Sequence, residues 1–291
     1  MSNLHIVTVA TEPKYYFPYL VESCKRNGKN LEVLGMGEKW QGFNHKFNLM
    51  INYLQELPKN DIVCFVDGYD VLCLRNLNEL KKKFISTAME KKCKIIVAKD
   101  KHKNSFYDII HSFIFDKCKN TNINSGTYIG YVKDLLDVLV SIYKKNPENS
   151  KDDQKLLTEY CKNNESKFYI DEKNDFFFTQ LTILHEIDEY VSIKNNVVSV
   201  NGYSPFFIHV PSGYLDNLII KLGYNYDYNN KVKNTLFIEL FTNKIWKSVL
   251  KDYIVYIIII LFIIFIIYFF YKKKHMKFLN LNFKIKNKKF L

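Results

Sequence analysis

Ile62-Val63-Cys64-Phe65-Val66-Asp67-Gly68-Tyr69-Asp70-Val71 is the stretch whose reading decides the fold. Its first five residues are apolar, mostly β-branched or aromatic, with no polar alternation. That pattern marks a strand buried on both faces, as in a parallel sheet. Two carboxylates follow, with a glycine between them. Ligands of open α/β sheets bind just outside the carboxyl ends of the strands, so Asp67 and Asp70 leave the strand at a crevice. Two hard oxygen donors three residues apart, on a turn that Gly68 allows to bend, suit a divalent cation carrying a diphosphate. Taken alone, the same residues fit a turn opened by Asp67-Gly68 and a helix capped by Asp70 equally well.

The flanking sequence supplies the context. Upstream, Leu4–Ala10 reads as a strand. Phe17, Leu20, Val21 and Cys24 mark a helix ending near Asn27-Gly28, and Leu31–Leu34 reads as a second strand. The loop Gly35–Asn44 holds Gly35, Gly37, Gly42 and Trp40. Phe47, Met50, Ile51 and Leu54 carry a second helix closed by Pro58. Downstream, Leu77–Phe84 is helical and Lys94–Ala98 is a strand, whereas residues 100–122 are polar, without period, and left unassigned. Asn124-Ser125-Gly126 opens a short strand, Thr127–Val132, and Val132, Leu135, Leu136, Leu139 and Ile142 give a further helix. Ser150-Lys151-Asp152-Asp153 begins another, and Phe176–Phe178, Val197–Val200 and Phe206–Val210 read as short strands. Strands separated by helical periods predict a Rossmann-type α/β fold, a mostly parallel sheet with flanking helices.

The 291 residues carry a net charge of +12, and 47% are hydrophobic, enough for a large core. The charge is uneven. Lys272, Lys273, Lys274, Lys277, Lys284, Lys286, Lys288 and Lys289 lie in an acid-free tail, and Arg26 and Arg75 are the only arginines. Arginine is the residue suited to bidentate phosphate and base contacts, so the charge does not mark a nucleic-acid partner. Cys24, Cys64, Cys73, Cys93, Cys118 and Cys161 form no C-x-x-C pair. No zinc or redox motif is implied, and reduced thiols in a reducing compartment are expected.

Residues 253–271 are nineteen in a row without a charge, bounded by tyrosines and followed by three lysines. That length crosses a bilayer as a helix, so a single-pass anchor is expected there, after a juxtamembrane linker over 227–252 and before a basic tail over 272–291. The basic tail favours a cytoplasmic tail by the positive-inside rule. The N-terminus shows no charged start and apolar run of signal type, which favours a cytosolic catalytic domain over a luminal one. In so lysine-rich a chain the tail carries little orientation signal, and the cytosolic placement is the expectation.

Six motifs now stand in register: Val7-Thr8-Val9-Ala10-Thr11-Glu12; Val33-Leu34-Gly35-Met36-Gly37-Glu38-Lys39-Trp40; Phe65-Val66-Asp67-Gly68-Tyr69-Asp70-Val71; Asn124-Ser125-Gly126 before Ile129-Gly130; Asp152-Asp153-Gln154; and an apolar strand ending in His209, with Leu222-Gly223-Tyr224-Asn225-Tyr226 beyond. In this order, across residues 3–226, the chain resembles the glycosyltransferase domain of multifunctional procollagen lysyl hydroxylases and the related collagen glycosyltransferases. The resemblance implies a GT-A fold over residues 1–226, a UDP-galactose or UDP-glucose donor, and Mn²⁺. It implies Asp67, Asp70 and His209 as metal ligands, and Tyr69 stacked on uracil with Thr8 and Val9 lining the base site. Trp40 and Lys46 would flank the nucleotide, Lys46 near phosphate, and Asn124, Asp152 and Asp153 would face the sugar and acceptor pocket. The chemistry is consistent, because Mn²⁺ accepts carboxylate and imidazole donors and neutralises charge on departing UDP. Each residue also has a plainer reading: His209 as a satisfied structural histidine, Tyr69 as a turn aromatic, Lys46 as surface charge, Asp152 and Asp153 as favourable charge at a helix N-terminus.

The chain departs from the family pattern twice. The glycine-rich, lysine-ended diphosphate loop is replaced by Val210-Pro211-Ser212-Gly213-Tyr214-Leu215-Asp216, and the glycine triplet before Lys46 by Phe43-Asn44-His45. The sequence after residue 252 leaves no room for an iron- and 2-oxoglutarate-binding domain, so hydroxylation is not expected. Two functions remain: a membrane-anchored, Mn²⁺-dependent hexosyltransferase acting on a protein or glycan acceptor, or a catalytically silent, membrane-tethered nucleotide- or glycan-binding module.

Overall fold

The computed structural model describes residues 2–102, 111–112, 114–146, 149, 151–181, 186–194, 197–211, 213–227, 260–266, 268–269 and 271–272. The chain divides into two compact units, Met1–Phe237 and Ile238–Leu291. In the first, the elements run β1 (Leu4–Val9), α1 (Phe17–Arg26), β2 (Leu31–Leu34), α2 (Phe43–Gln55), β3 (Ile62–Val66), β4 (Val71–Cys73), α3 (Leu80–Lys91), β5 (Ile95–His102) and β6 (Ile123–Tyr131). They continue with α4 (Val132–Lys144), α5 (Asp153–Asn163), β7 (Phe168–Asp171), β8 (Phe177–Leu181), β9 (Val191–Lys194), β10 (Val197–Val200), β11 (Phe207–His209) and α6 (Asp216–Lys221).

Nine strands form one sheet in the order β2-β1-β3-β6-β5-β8-β11-β4, with β7 also against β5. β1 is parallel to β2 and β3, β5 to β7 and β8, and β8 to β11. β6 runs antiparallel between β3 and β5, and β4 runs antiparallel to β11. The mostly parallel sheet with flanking helices is present, but β3 has one antiparallel neighbour.

All five residues of β3 are fully buried. Their side chains alternate between two cores. Val63 and Phe65 pack with α2, α4 and α5, while Ile62, Cys64 and Val66 pack with α1 and α3. Burying a side chain of this size contributes about 1.5–3 kcal/mol, and helices on both faces remove any need for polar alternation. The pleat then sends Asp67 to the face of Val63 and Phe65, where α2 presents Lys46.

β5 and β6 are longer than their apolar patterns. β7 covers β5 only from Ile95 to Ala98, after which the polar residues Asp100, Lys101 and His102 pair with β8. The β5–β6 register shifts between Val97 and Ala98, so that Ala98 pairs with Asn124. Ser125, Gly126 and Thr127 leave β5 there, as a bulge does.

Cys118 and Cys161 form a disulfide, with Cα atoms 5.8 Å apart, while Cys24, Cys64, Cys73 and Cys93 are buried free thiols. This corrects the expectation of six reduced cysteines. The two partners lie 43 residues apart in sequence, and no local spacing announces their meeting.

In the second unit, residues 260–266 are helical with exposed apolar side chains. Among the described residues, no helix is long and apolar enough to cross a membrane. Most of the expected linker and tail, and residues 253–259 of the expected span, lie outside the described residues, as does Ser212 of the altered loop.

Candidate metal and nucleotide site

β3 ends at Val66, and the Asp67 amide donates to the Gly126 carbonyl (2.8 Å), holding the turn beside the bulge of β6. Gly68 lets this turn press onto β1: a Cβ there would lie 3.1 Å from both Thr8 Oγ1 and the Val9 carbonyl. The chain then returns as the edge strand β4, whose Val71 pairs with His209 of β11, and the Val210 amide donates to the Asp70 carbonyl (2.9 Å). Antiparallel pairing at this edge is what brings a distant histidine to the Asp-x-x-Asp turn.

His209 Nε2 lies 3.2 Å from Asp70 Oδ1 and 3.9 Å from Asp67 Oδ2. One donor atom from each of Asp67, Asp70 and His209 falls within 4.8 Å of the others. Gly126 keeps the centre open, because a Cβ there would sit 2.3 Å from His209 Cε1 and 2.5 Å from Asp67 Oδ2. Two carboxylates and one imidazole form a donor set suited to a divalent transition ion. Burial pushes the Asp67 carboxyl up, an effect that Lys46 opposes and Asp70 reinforces. Burial acts to lower the His209 pKa, but the Asp70 carboxylate beside it outweighs this and raises it.

Lys46 is buried, not a surface charge. Its Nζ donates to Asp67 Oδ1 (2.9 Å) and Asp153 Oδ2 (2.7 Å), and stands 4.7 Å from the centre of the Phe65 ring. Burial would release its proton; Asp153 and Asp67 overcome that and hold it protonated. Asp152 caps α5, accepting from the Gln154 amide (2.8 Å). Burial, with the adjacent Asp153 charge, pushes the Asp152 carboxyl up to about 7.

Asn124 Oδ1 accepts from the Gly126 amide (2.8 Å), and its Nδ2 faces Asp100 Oδ2 (3.4 Å). The Gln154 side chain braces the bulge, accepting from the Ser125 amide (2.7 Å) and donating to the Ile123 carbonyl. Thr8 and Val9 lie beneath the turn that carries Tyr69. The Tyr69 hydroxyl accepts from the Thr11 amide at 3.0 Å, and its ring meets Tyr15 edge-on. Trp40 is half exposed on its loop, against Phe43 and His45. Asn44, where the family pattern has glycine, fastens this loop: its side-chain amide donates to the Asn146 carbonyl and accepts from Asn146 Nδ2, and its backbone N–H donates to Asn149 Oδ1.

Residues 1–236 match the family model described as the PLOD GT domain. The chain belongs to that family. Among relatives, a multifunctional procollagen lysine hydroxylase and glycosyltransferase of Caenorhabditis elegans is 29% identical over 60% of this chain. A procollagen-lysine,2-oxoglutarate 5-dioxygenase of Drosophila melanogaster is 26% identical over 80% of it. The chain spans 23% and 33% of the length of these two relatives. A solved glycosyltransferase involved in glycosylation of the major capsid of PBCV-1 aligns over 71% of this chain and 94% of its own, with TM-score 0.43 and 13% identity.

In this PLOD GT domain, Asp67, Asp70, His209, Lys46, Asp153 and Asn124 share one cluster around Gly126, Asp152 stands beside it at the α5 cap, and Thr8, Val9 and Tyr69 adjoin it. Sequence reasoning did not single out Gly126 or Gln154 as supports. It also missed Asp100 and His111, whose Oδ2 and Nε2 lie 3.1 Å apart. Asp100 belongs to the polar stretch left unassigned for want of a hydrophobic period.

Proposed function

We propose that residues 1–226 form a Mn²⁺-dependent hexosyltransferase that moves galactose or glucose from a UDP-sugar to an acceptor hydroxyl, on hydroxylysine or on a glycan. The observation that carries the reading is the convergence of Asp67, Asp70 and His209 on one small space at the carboxyl end of the sheet. These residues would hold the ion, which supplies charge neutralisation for the leaving diphosphate. Tyr69 offers an aromatic face for uracil over Thr8 and Val9, and Trp40 closes the nucleotide from the loop. Lys46, with its charge already divided between Asp67 and Asp153, holds both carboxylates in place. Asn124, Asp152 and Asp153 form the wall on the sugar and acceptor side. The names of the relatives support hydroxylysine as acceptor.

Residues 253–271 would anchor this domain in a membrane, and truncation after Lys251 should release it. The Cys118–Cys161 disulfide favours an oxidising compartment, against the cytosolic placement expected from sequence. Protease treatment of sealed microsomes decides: a protected domain is luminal, a cleaved one cytosolic.

The internal use of Lys46 and the lysine-free loop after His209 favour the second reading, a silent nucleotide- or glycan-binding module. UDP release from UDP-galactose and UDP-glucose, with Mn²⁺ and with EDTA, separates the two. Mn²⁺-dependent release supports the transferase; UDP binding without release of UDP from either sugar supports the module.

A further inference from the structure

Asp100 stands in a row with two site residues. It is the register partner of Thr179, which is the partner of His209, so three side chains on adjacent strands project from one face of the sheet. Two strand spacings, about 10 Å, separate Asp100 from the metal-ligating histidine. On the transferase reading, the hexose and the incoming hydroxyl would lie along this row. Asn124 bridges this space, with its Oδ1 at Gly126 and its Nδ2 at Asp100.

The two oxygens of Asp100 differ. Oδ2 faces His111 Nε2 at 3.1 Å and Asn124 Nδ2 at 3.4 Å. Oδ1 is buried and, among the described residues, has no hydrogen-bond partner; Thr179 Oγ1 is in the same condition. A buried carboxylate oxygen left without a donor is unfavourable, so a donor is expected to complete it in the working protein.

We propose that Asp100, braced by His111, is the specificity residue at the acceptor end of the site, its Oδ1 accepting the hydrogen bond of the incoming acceptor hydroxyl. The inference rests on the transferase reading. Asp100→Asn tests it sharply. The donors of His111 and Asn124 hold the amide oxygen on their side, so the amide NH₂ replaces Oδ1 and presents a donor to a donor.

The experiment uses the full chain with Mn²⁺, UDP-galactose and UDP-glucose, and two acceptors, water and a collagen-like peptide containing hydroxylysine. In Asp100→Asn, the KM for the peptide should rise roughly 10- to 100-fold, the span of a hydrogen bond to a charged group. The calorimetric affinity for UDP with Mn²⁺ should stay within about twofold. Asp100→Glu, which keeps the charge, should recover part of the peptide KM and serves if the Asn variant melts early. An unchanged peptide KM in Asp100→Asn, or a loss of UDP affinity showing that Asp100 only supports His209, overturns the proposal. A wild-type chain that releases no UDP removes the transferase reading and this inference together; active wild type with an indifferent Asp100→Asn removes this inference alone.

Discussion

Asp67/Asp70 and Asp152/Asp153 are two aspartate pairs a few ångströms apart, and they are neutralised in different ways. Asp67 and Asp70 sit on a strand-end turn with about a third and a quarter of their side-chain surface exposed (34% and 26%), facing a buried histidine. Asp152 and Asp153 open a helix. One is spent on the cap, and the other is paired with a buried lysine at 2.7 Å. The first pair leaves room for a cation from outside; the second brings its cation on the chain. Lys46 touches both pairs, so the strength of the second sets the charge available to the first. The contrast teaches that acidic residues in one pocket divide into those left open to a cation and those that the fold has already balanced.

The largest expected effect breaks the first pair. Asp67→Ala, Asp70→Ala or His209→Ala should each lower Mn²⁺-dependent turnover by roughly 10²–10³-fold, by analogy with losing one transition-state donor. Each should also abolish the rise in melting temperature on adding Mn²⁺, whereas Asp152→Asn should keep that rise. A Mn²⁺ shift that survives in one of the three alanine variants strikes that residue from the ligand set.

The next effect is on stability. Lys46→Met strands the buried Asp153 carboxylate and the partly exposed Asp67, and breaking the buried Lys46–Asp153 pair costs about 3–5 kcal/mol. At about 2–4 °C per kcal/mol, thermal denaturation in EDTA should show a drop on the order of 10 °C. Mn²⁺ should restore part of it by neutralising Asp67 but not Asp153. A drop of a degree or less would show that the pairs of Lys46 with Asp67 and Asp153 add little to stability.

What sequence disclosed follows the same division. The unalternated apolar run before Asp67 revealed β3, because a doubly covered strand has no polar face to show. The Asp-x-x-Asp turn revealed its paired carboxylates through local spacing. His209 needed the family pattern, since its approach to Asp70 depends on β4 pairing with β11, a non-local event. The first pair was thus legible from ten consecutive residues. The environment of the second was not: nothing near Lys46 announces that it lies between Asp67 and Asp153. Asp100 was hidden because half of β5 is polar, and hydrophobic period fails where a strand's end lines a site. β4, β7 and β9 were missed because runs of three or four residues carry almost no period, and the partners of β4 and β7 also lie far along the chain.

Two smaller effects sharpen the comparison from either side. Tyr69→Ala should weaken UDP binding by about 1–3 kcal/mol, the value of one base stacked on an aromatic ring; an unchanged calorimetric affinity would leave Tyr69 a turn residue. For the second pair, the sign follows from a carboxyl raised from 3.8 to about 7. The native state then holds the Asp152 proton more tightly than the unfolded chain does. That contribution is complete below about pH 4 and is lost as pH rises through 7. Asparagine caps a helix as well as aspartate and carries no charge. Asp152→Asn should therefore melt above wild type at pH 8 in EDTA, and level with it at pH 4. An equal difference at both pH values would show that Asp152 does not titrate in this range.

The most direct test of the account is calorimetric titration of UDP into the wild-type chain and into His209→Ala, each with Mn²⁺ and with EDTA. If Asp67, Asp70 and His209 hold an ion that carries the diphosphate, wild type should bind UDP tightly only with Mn²⁺, and the variant should lose that dependence together with most of the affinity. UDP binding that is equal in EDTA and Mn²⁺, and unchanged in His209→Ala, would contradict it.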